Sequence, residues 1–342
     1  MLCGDWDGID FCGVAHSERA LLADLSPLEV IDPTHVVRSV RAVWRSRRRG
    51  SSVLLVYPTR STVARWRPLL TFLVTAVLRR GDDLRVHLHE YRIFREVRWA
   101  LNVVLLVGRP TVVVSSSSEE TCMTRSVAAR LGLVRPQVIP PFGPLTPSTT
   151  GCTAVDAVGT GIVGVFGSPG PAKGTDLIVQ VLLALPSSYR RLELVGSGWD
   201  EVHWPSAVTD RIDVAPLGFV SSADLGPVFA RWELSIAPLS GGASDGRSSL
   251  RIPLSHGIPT LTELGRPEDL TLRPSHLGLV GDDPETAIAG AVAVAADRDA
   301  RRRGASEVDD FERRVRGALQ LALLGPDASP TQASTLAPRA VE

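Results

Sequence analysis

The stretch FGSPGPAKGTD, Phe166–Asp176, decides how this chain is read. It closes the apolar run IVGVF (Ile162–Phe166) and leads into LIVQVLLALP (Leu177–Pro186). A β-branched run, a turn of glycine and proline, and then a helical pattern make up the opening of a βα unit. Such a turn brings backbone N–H groups and the positive end of a helix to one place, which suits a phosphate. It also holds the only lysine, Lys173, among 37 basic side chains. Arginine elsewhere, with abundant Ala, Val and Gly, reflects a GC-rich genome and carries no message, so the single lysine is the exception to explain. A compact ammonium on a flexible stem is a mobile point charge for a phosphate. The turn is not a Walker A loop, because Lys173 precedes Gly174 instead of following the second glycine, and it is not a GxGxxG dinucleotide fingerprint. Standing alone, it reads equally well as a surface turn.

It does not stand alone. In PLSGGASDGRSSLRIPLSHGIPTLTE (Pro238–Glu263) a strand end and a glycine loop are followed by Arg247, Ser248 and Ser249 at the start of a helix. Arginine grips a phosphate with two parallel hydrogen bonds, and hydroxyls with free N–H groups complete an anion site. Taken singly, these residues are an ordinary helix cap. Two such turns in one sheet describe a diphosphate clamp.

Outward from there, short apolar runs alternate with longer helical stretches, the pattern of an α/β fold with parallel sheets. In the first half the expected strands are Leu28–Ile31, Ser52–Tyr57, Arg85–His89, Thr111–Val114 and Pro136–Pro140. Pro140–Gly161 is rich in Pro, Gly, Ser and Thr and reads as an interdomain connection, with the linker proper at 146–161. The alternation restarts with Ile162–Phe166, Arg191–Val195, Arg211–Leu217, Glu233–Leu239, Pro259–Thr262 and Leu277–Val280. The expected organisation is thus a first doubly wound domain over 1–145, a second over 162–324 ending in a charged helix at Ser306–Leu324, and a disordered tail over 325–342. Two such domains leave a cleft facing the carboxyl edges of their strands. GVAHSERALLADL (Gly13–Leu25) looks like a glycine turn and first helix, yet only a short, poorly apolar dozen residues precede it. Either the first strand is missing or this domain opens unusually.

At this point the residues resemble a known family. LVGSGWDEV (Leu194–Val202), LGFVSSADLGPVFARWELSIAPL (Leu217–Leu239) and SHGIPTLTE (Ser255–Glu263), read after KGTDLIVQVLLALP, resemble the donor-binding domain of GT-B glycosyltransferases in the retaining family 4 branch. HEYRIFREVRWALN (His89–Asn102), TVVVSSSSEE (Thr111–Glu120) and VIPPFGP (Val138–Pro144) resemble the family's first domain more loosely. The resemblance implies that Lys173, between the turn glycines Gly167 and Gly174, contacts the donor diphosphate. Gly218, Phe219 and Val220 would border the nucleotide base, with Gly196 and Gly198 in the neighbouring loop. Gly13 would face the diphosphate from a glycine-rich loop. His89 falls where a family histidine approaches the donor sugar, and it also reads as a polar residue ending a strand. The sequence departs from the family in two places. The usual pair of glutamates separated by seven residues is missing, with Ser244 or Asp245 and Ile252 in that region. The arginine usually found before the lysine is replaced by Ser168. Arg247 then supplies the missing positive charge and Asp245 part of the carboxylate chemistry.

Composition is compatible with this. At 342 residues with 44% hydrophobic and 22% charged side chains, the chain fits two aliphatic domains of an ordinary folded protein. The net charge is zero, but residues 1–150 carry 20 arginines against 13 carboxylates, leaving 17 basic and 24 acidic groups for the remainder. The densest basic run is RSVRAVWRSRRRG (Arg38–Gly50), which suits an anionic membrane or an anionic substrate, or else is a solvated helix face. Four scattered cysteines form no CxxC pair and read as reduced thiols. With no secretory signal and no spanning segment, the expected location is cytoplasmic, with peripheral membrane contact if the arginines serve it.

The expected activity is transfer of a sugar from a nucleoside diphosphate sugar to an unidentified glycan, lipid-linked or small acceptor. No cofactor beyond the donor, no metal and no nucleic acid partner are expected, since neither a DxD triplet nor a His/carboxylate cluster appears where the phosphates would sit. The alternative is a catalytically degenerate GT-B protein that binds nucleotide or glycan as a partner subunit. Nicotinamide-dependent oxidoreduction would need the fingerprint this chain lacks.

Overall fold

The computed structural model describes residues 2–3, 30–31, 35–48, 52–57, 66–81, 84–89, 98–140, 154–170, 174–221, 224–239, 242–266 and 269–324. Its chain divides into two compact units, Met1–Pro144 with Arg313–Glu342, and Leu145–Glu312. The last helix, Arg298–Leu324, is therefore shared, whereas the sequence expectation counted it with the second domain alone.

The first unit is built on six parallel strands: β1 (Leu2–Cys3), β2 (Val30–Ile31), β3 (Val53–Tyr57), β4 (Leu84–Leu88), β5 (Thr111–Val114) and β6 (Pro136–Val138), in the order β2-β1-β3-β4-β5-β6. The place where the sequence reading left a first strand missing is taken by Leu2–Cys3, which pairs with Val30–Ile31 on one side and Leu54–Leu55 on the other. Two residues have no periodicity to read, so only the pairing reveals them. All five residues of β3 are buried, as expected of a strand covered on both faces, which is why it appears in the sequence as a continuous apolar run. Helices α1 (Val36–Arg48), α2 (Trp66–Leu78) and α3 (Arg98–Gly108) connect β2 to β3, β3 to β4 and β4 to β5. These three connections step across the sheet in the same direction. Right-handed crossovers therefore place all three helices on one face, and α1 lies against α2 and α2 against α3. The serine run after β5 is divided by function. Ser115 Oγ donates to the His89 carbonyl (2.7 Å), and Ser116 caps α4 (Ser117–Thr124) by accepting from the Glu119 N–H.

The second unit also has six parallel strands: β7 (Ile162–Phe166), β8 (Arg191–Val195), β9 (Asp213–Gly218), β10 (Leu234–Ala237), β11 (Thr260–Glu263) and β12 (Leu277–Val280), in the order β12-β11-β10-β7-β8-β9. The order reverses between β7 and β10, the switch point at which open α/β sheets bind ligands beyond their carboxyl ends. Gly164, in the middle of β7, has no side chain because the Trp232 indole fills that place; a Cβ there would lie 2.0 Å from two indole carbons. Trp232 is fixed in turn, its Nε1 donating to Glu193 Oε2 (2.9 Å) and its ring packing edge-on to Phe229.

The interior also holds a neutral histidine. His276 Nε2 donates to the Leu254 carbonyl (2.7 Å), and burial, above all, lowers its pKa from 6.5 to about 4. The unfolded chain takes up this proton as pH falls through its ordinary value near 6.5, while the folded chain resists until about 4. The contribution of His276 to stability should therefore be constant above pH 6.5 and fall by roughly 3 kcal/mol between that pH and 4. Urea titrations across this window would test it. A His276→Gln variant, which cannot gain the proton, should lose that part of the slope, and an unchanged slope would refute the assignment.

Candidate functional site

The carboxyl edge of the second sheet is assembled from loops whose backbones touch. Gly167 extends β7 by donating its N–H to the Val195 carbonyl (2.7 Å), and Gly196 extends β8 by donating to the Gly218 carbonyl (2.8 Å). Trp199, buried beneath the loops, donates its Nε1 to the Gly167 carbonyl (2.9 Å). Gly196 has φ 132° and lies so close to the first loop that a Cβ would stand 2.6 Å from Gly167 C and Ser168 N. Any other residue would both strain the backbone and push the loops apart. Gly167, Gly198 and Gly218 also adopt positive φ, at 101°, 93° and 65°. The result is a floor of peptide groups at the ends of β7, β8 and β9. Beyond Gly218 the Phe219 ring is about half exposed, whereas Val220 packs beside Val195 and Phe229.

Two helices begin at the switch point itself. α6 (Asp176–Ala184) follows Gly174, where an added Cβ would meet nothing, and its cap, Thr175, makes no side-chain capping bond. α9 (Ser248–Ser255) begins after Arg247, which likewise makes no side-chain capping bond. Both helix starts thus keep N–H groups for a ligand. Arg247 and Ser248 are exposed and Ser249 is buried. The Arg247 guanidinium has no hydrogen-bond or ion-pair partner among the described residues.

The loop carrying Arg247 is pinned from below. Gly242 and Gly265 pass so closely that a Cβ on Gly242 would lie 2.1 Å from the Gly265 Cα, and the Ala243 N–H donates to the Glu263 carbonyl (3.0 Å). Asp245 is buried, and its carboxylate accepts from the Thr271 N–H (2.9 Å), the Thr271 hydroxyl and the Leu272 N–H (3.0 Å). The Asp245 carbonyl accepts from Arg251 Nη1 (2.9 Å), and the Arg251 guanidinium is paired with Glu312 in the interior. Asp245 is therefore a fastening of the loop. Both its oxygens accept from backbone and hydroxyl donors 26 and 27 residues further along the chain.

Of the other residues singled out from sequence, His89 lies just past β4 in the first unit. Its N–H donates to the Tyr57 carbonyl (2.8 Å), and its ring is buried 4.1 Å from that of His87. Lys173 and Gly13 lie outside the described residues. One carboxylate not singled out does stand at the edge. Glu263 closes β11, and its pKa is raised by partial burial and then by the neighbouring Asp176 at the start of α6. It is the last letter of SHGIPTLTE, and its position at a strand's carboxyl end next to the switch point was the available signal. Among the described residues no three His, Cys, Asp or Glu side chains are grouped to hold a metal ion.

No family model matches the chain. No curated protein matches its sequence. Solved structures do match in fold. An alpha-glucosyltransferase solved with UDP and a 13-mer DNA superposes with a TM-score of 0.58 at 11% identity, covering 91% of this chain and 93% of that one. A mutant O-GlcNAc transferase of Thermobaculum terrenum gives 0.54 at 16% identity, covering 97% and 66%. TarM is matched at 0.49 and 10% identity over 75% of this chain, which spans 58% of TarM's length. The fold is GT-B, with the divergence expected from such low identities.

Proposed function

We propose that this chain is a glycosyltransferase that binds the diphosphate of a nucleoside diphosphate sugar at the β7–β10 switch point. It passes the sugar to an acceptor with retention and without a metal. The observation that carries this reading is the side-chain-free floor of Gly167, Gly196 and Gly218, facing two helix starts without side-chain caps. Peptide groups and helix starts there can approach a diphosphate at hydrogen-bond distance and stabilise the charge it gains as the sugar departs. Arg247 adds a guanidinium that has no partner among the described residues, Lys173 is assigned the second cation, and the exposed Phe219 offers a face to the base. His89 is assigned to the donor sugar on the resemblance alone. Two structural neighbours are named as an alpha-glucosyltransferase and an O-GlcNAc transferase, and the first was solved with UDP.

Thermal shift with UDP, GDP and ADP tests the reading. At about a hundredfold excess over Kd, the accepted nucleotide should raise Tm by roughly 5–10 °C. Lys173→Ala and Arg247→Ala should each remove most of that rise while leaving the ligand-free Tm unchanged. A folded sample that responds to none of them would reject the donor site.

The fastening role of Asp245 favours a second reading, a GT-B protein that binds nucleotide or glycan without turnover. Donor hydrolysis or transfer by the same sample separates the two, because a pure binder shows the thermal shift and no released nucleotide.

A further inference from the structure

The helices over the first sheet bury an apolar side, with Phe72, Ala76, Leu101, Val104 and Leu105 in the core, and also leave large apolar side chains exposed. In α1 the inward residues are small: Ser39, Ala42, Val43 and Ser46 are buried, while Val37, Arg41, Trp44 and Arg48 form an outward stripe at helical spacing. In α2 the threonines Thr71 and Thr75 are fully buried, whereas Trp66 (67% exposed), Leu70 and Val77 (57%) face out. In α3 the outermost residue is Trp99, 70% exposed. The three helices lie side by side on one face of the sheet, so each adds exposed apolar side chains to that face. Arginine surrounds it. No acidic residue occurs between Asp32 and Asp82, a span that holds eleven arginines. Arg38, Arg41, Arg45 and Arg67 line an open groove of about 1010 Å³ beside Trp44. Arg48 lies over the Trp44 ring, 3.7 Å from its centre.

We propose that this outer face of α1, α2 and α3 is a docking surface for an anionic lipid bilayer. Tryptophan settles at the headgroup level, where its ring is sheltered and its N–H is hydrated. Leu70, Val77 and Val37 gain by entering the boundary of the acyl chains, while arginine stems lie along apolar surface and deliver their charge to phosphates. A nucleic acid would pair with the arginines and stack on the rings, but it would leave these aliphatic side chains in water. A second copy of the chain, docked through the same patch, would set arginine against arginine. No helix among the described residues is long and apolar enough to cross a membrane, so the contact is made from the surface. The proposal does not rest on the sugar-transfer reading.

The test is co-sedimentation of the full chain with vesicles of phosphatidylcholine, with and without phosphatidylglycerol, followed also by tryptophan emission and its quenching by brominated lipid. Phosphatidylglycerol should strengthen binding by about tenfold or more. Salt should weaken it. Trp66→Ser/Trp99→Ser should lose the quenching and most of the binding, and Arg38→Gln/Arg41→Gln/Arg45→Gln should lose the preference for anionic lipid. Equal binding to both vesicles, or binding that both variants retain, would overturn the proposal. So would tighter binding of single-stranded DNA than of vesicles, or a solution dimer that Trp66→Ser converts to monomer.

Discussion

Replacing Arg301 with leucine should cost the second unit most of its stability. Arg301 is fully buried, and its guanidinium donates to four carbonyls: Gly257 (3.0 Å), Ala157 (3.0 Å), Trp232 (3.2 Å) and Ala295 (3.5 Å). These come from the end of α9, the entry into the unit, the loop before β10, and helix α10 (Pro284–Ala296). One side chain thus fastens four segments that share no sequence neighbourhood. Burial lowers its pKa to about 10, with Glu233 and Tyr189 acting in the opposite direction, so it remains charged at neutral pH. Leucine would leave the carbonyls without donors at about 1–3 kcal/mol each, and would leave Glu233 without its compensating charge. A loss of roughly 4 kcal/mol or more is expected in urea unfolding followed by tryptophan fluorescence. Lysine should recover only part of it, because three donors on a flexible stem cannot reproduce the planar fork. A loss below about 1 kcal/mol would refute this role.

Gly164→Ala should be nearly as damaging. A methyl group 2.0 Å from the Trp232 indole requires the ring or the strand to move. The ring is held by Glu193, which also accepts from Arg231 and Arg191, so displacing it disturbs a buried carboxylate as well. Overpacking of this kind costs about 1–3 kcal/mol, and the rigidity of this site places the expected loss at the upper end. Pairing Gly164→Ala with Trp232→Leu supplies the check. If the two residues compete for one space, the double variant loses less stability than the sum of the singles, and simple additivity would disprove the competition.

These two residues show where the sequence was legible and where it was not. Thr111–Val114, Ile162–Phe166, Arg191–Val195 and Leu277–Val280 are legible in the sequence with their observed bounds, because each is a short apolar run with turn residues at its ends. Leu2–Cys3 was too short for any pattern. The last helix begins at Arg298, not near Ser306, because its opening RDARRRGASE looks like a solvated charge run. Nothing local distinguishes buried Arg301 from exposed Arg302 and Arg303. The site divided in the same way. Glycines forced by positive φ or close approach, such as Gly196 and Gly218, were visible as residue types in turns. The role of Asp245 was not, since its partners at 271 and 272 meet it only after β11 has formed.

The sharing of the last helix also bears on how the protein is made. Residues 313–324 group with the first unit, although they are synthesised after the whole of the second. The first sheet can form early on the ribosome, but the unit built on it stays incomplete until nearly all the described chain has emerged. The second unit lacks only its own residues and can close sooner. The order of completion should thus invert the order of synthesis, an exception to the usual N-terminal-first sequence of domain folding. Until then, the first unit presents whatever surface the helix's second half will cover, which is a period of exposure to chaperones and proteases set by the length of the second unit.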